Sequence, residues 1–160
     1  MVNPVTTVIL DALVGKGIGE ICENHFDSAS QNHCAHFVSH VLGLRLGLTC
    51  GGMTFRPPSP GASIRCDEVF NRLSQRGPWA SAPALTNGLL LFATSSSNVI
   101  NNQMANVPRK HVGIIFGGAV YNFGNSDHKV RKEATIEAFR SRMGHAYGDP
   151  QIGLFYAVPR

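Results

Sequence analysis

The sequence predicts an α+β fold in which N-terminal helices pack on a small antiparallel sheet. Three patterns support this prediction: apolar residues at helical spacing in the first third, a two-glycine hairpin signature over residues 111–123, and an apolar run over residues 152–158. With 160 residues and 43% hydrophobic content, the chain can bury a core of its own. We find no internal repeat and expect residues 1–160 to form a single domain.

The first two helical regions are predicted from apolar spacing. Residues 5–24 have helix-like spacing, and Gly15 and Gly17 divide them into two short helices. Beginning at Cys34, apolar residues recur at i, i+3, i+4, i+7 and i+8 as far as Leu42, which is one stripe of a helix. Cys34 should therefore lie in the first turn of this helix and face the core.

The middle of the chain alternates between irregular and regular segments. Ser63 is a predicted N-cap for a helix from residue 64 to about residue 76, which Gly77 and Pro78 would end. Asn87 and Gly88 indicate a turn before a short core strand over residues 89–93. The Ser- and Asn-rich segment 94–110 is predicted to be a mobile loop.

The C-terminal third should supply most of the sheet. Residues 111–116 and 119–123 flank the Gly117-Gly118 pair and predict a β-hairpin. Residues 132–143 have helical spacing, with Gly144 as the stop signal. Residues 152–158 predict the last strand.

Charge and hydropathy narrow the classes of partner. Lys and Arg total 14 against 10 for Asp and Glu, and the resulting net charge of +4 favours polyanions without choosing among nucleic acid, anionic lipid and bacterial wall polymer. The basic residues are scattered and not interleaved with aromatic residues, so no nucleic-acid binding is predicted. No apolar run approaches the roughly 20 residues of a membrane span. The protein is expected to be soluble, without a membrane span.

The N-terminal segment does not have the pattern of a secretory leader. Residues 1–15 lack a basic n-region and carry Asp11 within the apolar run. We interpret them as a helix of the mature domain and predict no cleavable signal peptide.

Four cysteines, Cys22, Cys34, Cys50 and Cys66, form no CxxC pair. A zinc knuckle or thioredoxin-type redox motif is therefore not predicted. If Cys34 stays a free thiol, the other three can form at most one intramolecular disulfide. Cys50 with Cys66 could close the Pro-rich loop between them; otherwise Cys22, Cys50 and Cys66 are interpreted as core cysteines.

Cys34 is the candidate nucleophile and His111 the candidate general base. A helix N-terminus lowers the pKa of a thiol, because unpaired backbone N–H groups and the helix dipole favour the thiolate. An imidazole can take the proton, and a third polar group can hold the imidazole's orientation. Asn122 is the candidate for that third role, since the hairpin pairing places it about one diagonal step from His111. Asn125, Asp127 and His128 are alternatives for the same role.

Three segments resemble, in order, the signature segments of NlpC-type cell-wall cysteine peptidases. Residues 32–38 (NHCAHFV) resemble the nucleophile segment, residues 87–92 (NGLLLF) the turn and strand ahead of the histidine, and residues 111–117 (HVGIIFG) the histidine strand. The family usually has Asp before the Cys and Ser-Gly after it, where this chain has His33 and Ala35-His36. The sibling CHAP amidases vary more at these positions.

The resemblance implies a papain-like (NlpC-type) fold and a hydrolase, a thiol protease or amidase of cell-wall degradation. Its substrate would be an amide bond in peptidoglycan stem peptides, cut through an acyl-enzyme by Cys34, His111 and Asn122. The backbone N–H of Cys34 would hold the oxyanion. An interbacterial amidase toxin or a phage-borne lysin would have this activity. Such a protein would reach the periplasm or cell wall without a cleavable signal peptide. A cognate inhibitor is a candidate partner.

Two other functions remain open from the sequence. One is a papain-like acyltransferase or deamidase that uses the same dyad on another amide. The other is a non-catalytic wall-binding module that keeps the fold.

His36 and His40 are four residues apart on the predicted helix, a spacing that suits zinc, and His33 lies nearby. On the helical wheel they lie opposite the Cys34 stripe. We interpret them as facing solvent or a partner, and predict no metal and no other cofactor.

Overall fold

The structure, a computed structural model, describes residues 2–84 and 87–160. Met1, Leu85 and Thr86, which the predicted domain includes, lie outside the described residues. The α-helices are α1 (Thr7–Leu13), α2 (Cys34–Leu42), α3 (Cys66–Arg72) and α4 (Ile136–Tyr147). The strands are β1 (Arg76–Pro78), β2 (Leu90–Thr94), β3 (Val99–Ile100), β4 (Gln103–Met104), β5 (His111–Phe116), β6 (Ala119–Gly124), β7 (Lys129–Glu133) and β8 (Gly153–Ala157).

Six of the strands form one antiparallel sheet in the order β1-β8-β2-β5-β6-β7. Helix α2 packs on one face, across β5 and β6, and α4 packs on the other face, against β6 and β7. Both faces of the central strands are therefore covered, and every residue of β2 and β6 is buried. The predicted α+β class with an antiparallel sheet is confirmed.

The predicted hairpin is confirmed as β5 and β6. Phe116 pairs with Ala119 and Gly113 with Asn122, so the register follows from a two-residue turn. Gly117 and Gly118 have φ values of +59° and +79°, which a tight hairpin turn requires and which glycine adopts without strain. The predicted strand at residues 89–93 is also present, one residue later, as β2.

The prediction of Ser63 as an N-cap is wrong. Its hydroxyl accepts the backbone N–H of Leu46 at 2.6 Å and donates to the carbonyl of Leu44 at 3.3 Å, so it fastens a loop instead. Helix α3 begins at Cys66, later than predicted, and ends four residues before β1. Gly77 and Pro78 belong to that edge strand, which pairs with β8.

Two more assignments in the second half differ from prediction. The segment 94–110, predicted to be a mobile loop, contains a small hairpin of β3 and β4, which its polar composition does not indicate. The start of the predicted helix at residue 132 lies in β7, an edge strand whose residues other than Val130 are partly or fully exposed. Helix α4 begins after Thr135, whose hydroxyl accepts the N–H of Ala138 at 2.9 Å, and it ends at Gly148 rather than Gly144.

Helix α2 begins and ends within a residue of its prediction but is buried on more than one stripe. Its buried members are Cys34, Ala35, His36, Phe37, Val38, Ser39 and Leu42. Gly43, in the left-handed conformation, ends it. The helix that carries the candidate nucleophile is therefore enclosed on several sides.

Within residues 2–84 and 87–160, the helices are all too short or too polar to cross a lipid bilayer.

Candidate active site

Cys34 is the first residue of α2, as predicted, and only 2% of it is exposed. Its backbone N–H donates to the side-chain oxygen Oδ1 of Asn32 at 3.0 Å. Its sulfur lies 3.8 Å from the carbonyl oxygen of Lys110, the residue that precedes His111. The start of α2 and the start of β5 therefore meet in space. The N–H predicted to hold an oxyanion is occupied by Asn32 in this structure.

His111 and Asn122 are brought together by the hairpin register. Because Gly113 lies opposite Asn122, His111 is one diagonal step away on the same face of the sheet. Its Nε2 lies 2.9 Å from Oδ1 of Asn122, and both side chains are at least 98% buried. The ring also stacks on Phe139 of α4, with the ring centroids 5.8 Å apart and the planes at 27°. The imidazole is thus fixed from two sides.

The other ring nitrogen of His111, Nδ1, is buried and has no hydrogen-bond partner at ordinary distance among the described residues. Burial alone would lower the pKa of His111, but the nearby Cys34 thiol and the hydrogen bond to Asn122 raise it above its usual value. The surroundings of His111 therefore favour the protonated ring.

Cys66 is a neighbour of the site that the sequence interpretation missed. It is the first residue of α3, is 5% exposed, and its sulfur lies 4.0 Å from that of Cys34. A hydrogen bond from the Cys66 thiol, together with the charge of His111, outweighs burial and lowers the pKa of Cys34 well below its ordinary value. Burial and the neighbouring Cys34 raise the pKa of Cys66. These opposite directions favour Cys34 over Cys66 as the thiolate, and no local pattern in the sequence signals this pairing.

A cleft of about 530 Å³ opens over Cys34. Its walls come from the start of α2, from the segment leading into α3, and from the loop before β5: Asn32, Cys34, Ala35, Ile64, Arg65, Cys66, Asp67, Asn106, Val107, Pro108, Arg109 and Lys110. Three of these side chains are basic and one is acidic. Nζ of Lys110 lies 3.9 Å from Oδ1 of Asp67, and Nη1 of Arg65 lies 3.8 Å from Oε1 of Glu68, which leaves Arg109 as the cation of this lining outside an ion pair among the described residues. The cleft is therefore suited to a ligand with negative charge.

Of the alternatives to Asn122, Asp127 is ion-paired to Arg131 at 2.7 Å. The backbone N–H of His128 bonds to the carbonyl of Gly124, and its side chain is exposed. Asn125 borders a small cavity beside His111, but its Oδ1 has no partner among the described residues. In this structure Asn122 is the residue bonded to His111.

The remaining cysteines and histidines are placed differently from expectation. All four cysteines are free, and Cys50 lies against Cys22, with the sulfurs 3.8 Å apart, so the suggested Cys50–Cys66 pair is wrong. His36 is 0% exposed and His40 is half-buried, so the interpretation of this pair as facing solvent or a partner is wrong. These two histidines lie beside Cys22 and Cys50.

Comparison with known proteins gives no relative: no family model, no curated protein and no solved structure matches this chain.

Proposed function

We propose that the chain is a papain-like cysteine hydrolase of the NlpC type that cleaves an amide bond in peptidoglycan stem peptides. The single observation that carries the proposal is the Cys34–His111–Asn122 arrangement: a thiol at a helix N-terminus, an imidazole at the start of a strand, and an amide oxygen 2.9 Å from the second ring nitrogen. A nucleophile, a base and an orienting group in this relation are the minimum that acyl transfer through a cysteine requires. The resemblance of the segments around these residues to NlpC-type peptidases indicates peptidoglycan stem peptides as the substrate class.

The reaction follows from the protonation states. The Cys34 thiolate attacks the carbonyl carbon of the amide, and the C–N bond breaks as the leaving nitrogen takes a proton from the His111 imidazolium. Water then attacks the thioester and gives a proton to His111, which releases a carboxylic acid and restores the thiolate. The hydrogen bond between Nε2 of His111 and Oδ1 of Asn122 holds the ring, so Nδ1 is the nitrogen left to exchange the proton with Cys34 in both steps.

Asn32 is the candidate for oxyanion stabilisation. Its Oδ1 accepts the N–H of Cys34 at 3.0 Å, and its side chain lines the cleft. An amide donor beside the nucleophile can stabilise the tetrahedral oxyanion, a contribution of about 10²- to 10³-fold in kcat where such donors have been removed. The Asn32 side chain would supply that donor while its oxygen keeps the bond to Cys34.

The charge of the cleft agrees with a stem-peptide substrate. Such peptides carry free carboxylates close to their amide bonds, and Arg109, which forms no ion pair within the described part of the chain, provides a cation on one wall of the cleft. Electrostatic attraction of this kind raises the association rate and selects anionic substrates over neutral ones.

The decisive experiment is digestion of purified peptidoglycan and of isolated muropeptides by wild type and by Cys34→Ala, with product masses measured. We expect new amine termini with the wild type and none with the variant. Release of a new carboxyl and amine pair identifies hydrolysis, whereas loss of ammonia or transfer to an added amine would identify a deamidase or acyltransferase and refute the proposed reaction.

A second measurement separates a hydrolase from a non-catalytic module. Expression directed to the bacterial periplasm should lyse cells for wild type but not for Cys34→Ala. If muropeptides stay intact and both forms bind the wall equally, the module interpretation replaces the hydrolase.

A further inference from the structure

A buried group of four metal-binding side chains lies behind α2, away from the Cys34 cleft. Cys22, His36, His40 and Cys50 each direct one ligand atom inward, and these four atoms lie within 4.8 Å of one another. Cys22 and Cys50 come from the loops that precede and follow α2, and the two histidines lie one turn apart on it. Cys22, His36 and Cys50 are at least 98% buried. We call this group the Cys2His2 cluster.

The distances within the cluster are those of a tetrahedral zinc site. Zn–S bonds of about 2.3 Å and Zn–N bonds of about 2.05 Å at tetrahedral angles separate ligand atoms by about 3.8 Å (S to S), about 3.3 Å (N to N) and about 3.6 Å (S to N). The sulfurs of Cys22 and Cys50 are 3.8 Å apart, and the Nε2 atoms of His36 and His40 are 3.1 Å apart. Cys50 Sγ lies 3.6 Å from His40 Nε2. Three different edges of the tetrahedron thus agree with the expected lengths.

A chain of hydrogen bonds fixes the ring of His36 in the tautomer that binds metal. His33 Nε2 lies 2.7 Å from the carbonyl oxygen of Ser28, which can only accept, so this nitrogen carries the proton. With its proton on Nε2, His33 can accept at Nδ1 from His36 Nδ1, 3.0 Å away. His36 therefore presents the lone pair of Nε2 to the centre of the cluster. A metal-bound histidine characteristically has its second nitrogen held in this way.

The sulfur of Cys50 is supported as a ligand too. It accepts hydrogen bonds from Nδ2 of Asn24 at 3.4 Å and from the backbone N–H of Ala62 at 3.3 Å. Gly61 allows this approach, because a Cβ at that position would collide with the Cys50 sulfur. Hydrogen bonds to a ligating sulfur stabilise the thiolate form that metals bind.

The geometry points to a structural zinc ion bound by Cys22, His36, His40 and Cys50. Two sulfurs and two imidazole nitrogens in a tetrahedron favour zinc, and four protein ligands leave no open position for a substrate or water. The ion would fasten the loops at both ends of α2 to the back of the helix, and it takes no part in the chemistry of Cys34. Zinc binding by the Cys2His2 cluster does not depend on the proposed hydrolase activity.

The first test is the metal content of the purified protein. The wild type is expressed in zinc-supplemented medium and purified without chelators. It should contain one zinc per chain by inductively coupled plasma mass spectrometry. Cys50→Ser and His40→Ala should lose it. Cys66→Ser and Cys34→Ala, which remove equally buried cysteines outside the cluster, should keep it. Zinc retained in Cys50→Ser and His40→Ala, or lost in Cys34→Ala, would overturn the assignment.

A second test uses wild type alone, because the cluster variants could fail to fold. Protein stripped of metal and titrated with Co²⁺ should develop thiolate charge-transfer bands and the strong visible bands of tetrahedral cobalt, saturating at one equivalent. Added zinc should abolish these bands and raise the thermal midpoint of unfolding. The absence of a saturable tetrahedral spectrum, or a Cys22–Cys50 disulfide in freshly purified protein, would refute the zinc site.

Discussion

The hydrogen bond between His111 and Asn122 gives the sharpest test of the proposed chemistry. Asn122→Ala removes the Oδ1 atom that lies 2.9 Å from His111 Nε2, at a position that is 0% exposed. A buried donor left without a partner costs about 1–3 kcal/mol. At about 1.4 kcal/mol for each tenfold change in rate, kcat/KM should fall by roughly 5- to 150-fold. Because this bond helps raise the pKa of His111, its loss should also lower that pKa.

The sign of the pH effect separates orientation from simple destabilisation. If the His111 imidazolium protonates the leaving nitrogen, the alkaline limb of the kcat/KM profile should move to lower pH in Asn122→Ala. Asn125→Ala is the matched control, since it removes a neighbouring amide that makes no bond to His111. A profile unchanged in Asn122→Ala, or shifted equally in both variants, would refute the assignment of Asn122 as the orienting residue.

Three further predictions follow from the contacts of the site. In Cys66→Ala the pKa of Cys34 should rise, so alkylation of Cys34 by iodoacetamide, monitored by mass spectrometry, should begin at higher pH. Cys66→Ser keeps a hydroxyl donor and should retain more of the reactivity at low pH. Asn32→Asp, which keeps the acceptor for the N–H of Cys34 but removes the amide donor, should lower kcat on muropeptides by about 10²- to 10³-fold with little change in the unfolding midpoint. Phe139→Ala should lower the free energy of unfolding in urea by about 3–5 kcal/mol, because this ring is fully buried and stacked on His111; a loss below 1 kcal/mol would contradict that packing.

The parts of the fold that the sequence predicts are those encoded by local patterns. The helix at Cys34 follows from its apolar spacing, and the pairing of Phe116 with Ala119 follows from the two glycines between them. That pairing fixes which residues lie diagonally across the hairpin, so the closeness of His111 and Asn122 could be predicted without coordinates.

Other features depend on contacts that no local pattern records. The sequence pattern places the end of β7 in a helix because the single buried residue of this strand, Val130, gives no alternation, while Ile136 and Phe139 give strong helical spacing just beyond it. The pairing of Cys66 with Cys34 joins residues 32 positions apart at the starts of two helices. The position of β7 and the approach of Cys66 to Cys34 both depend on tertiary packing, so the periodicity of the sequence does not predict them.

The histidines of α2 show how a correct pattern can be given the wrong environment. The spacing of His36 and His40 suits zinc, and the helical wheel separates these histidines from the Cys34 stripe. The prediction that His36 and His40 face solvent is wrong because the loops before and after α2 cover its rear face, and a helical wheel contains no information about loops.

The placement of Cys34 depends on both sides of α2. A nine-residue helix is marginal by itself, so its position relative to β5 must be set by packing. On the sheet side, Phe37 and Val38 are fully buried and fix the helix against the sheet that supplies His111. On the rear side, Cys22 and Cys50 lie beside His36 and His40, and Phe26 packs edge-on against the ring of His36. A zinc ion bound by these four side chains would add its binding free energy to the stability of the fold and so hold the loops at both ends of α2 against the helix.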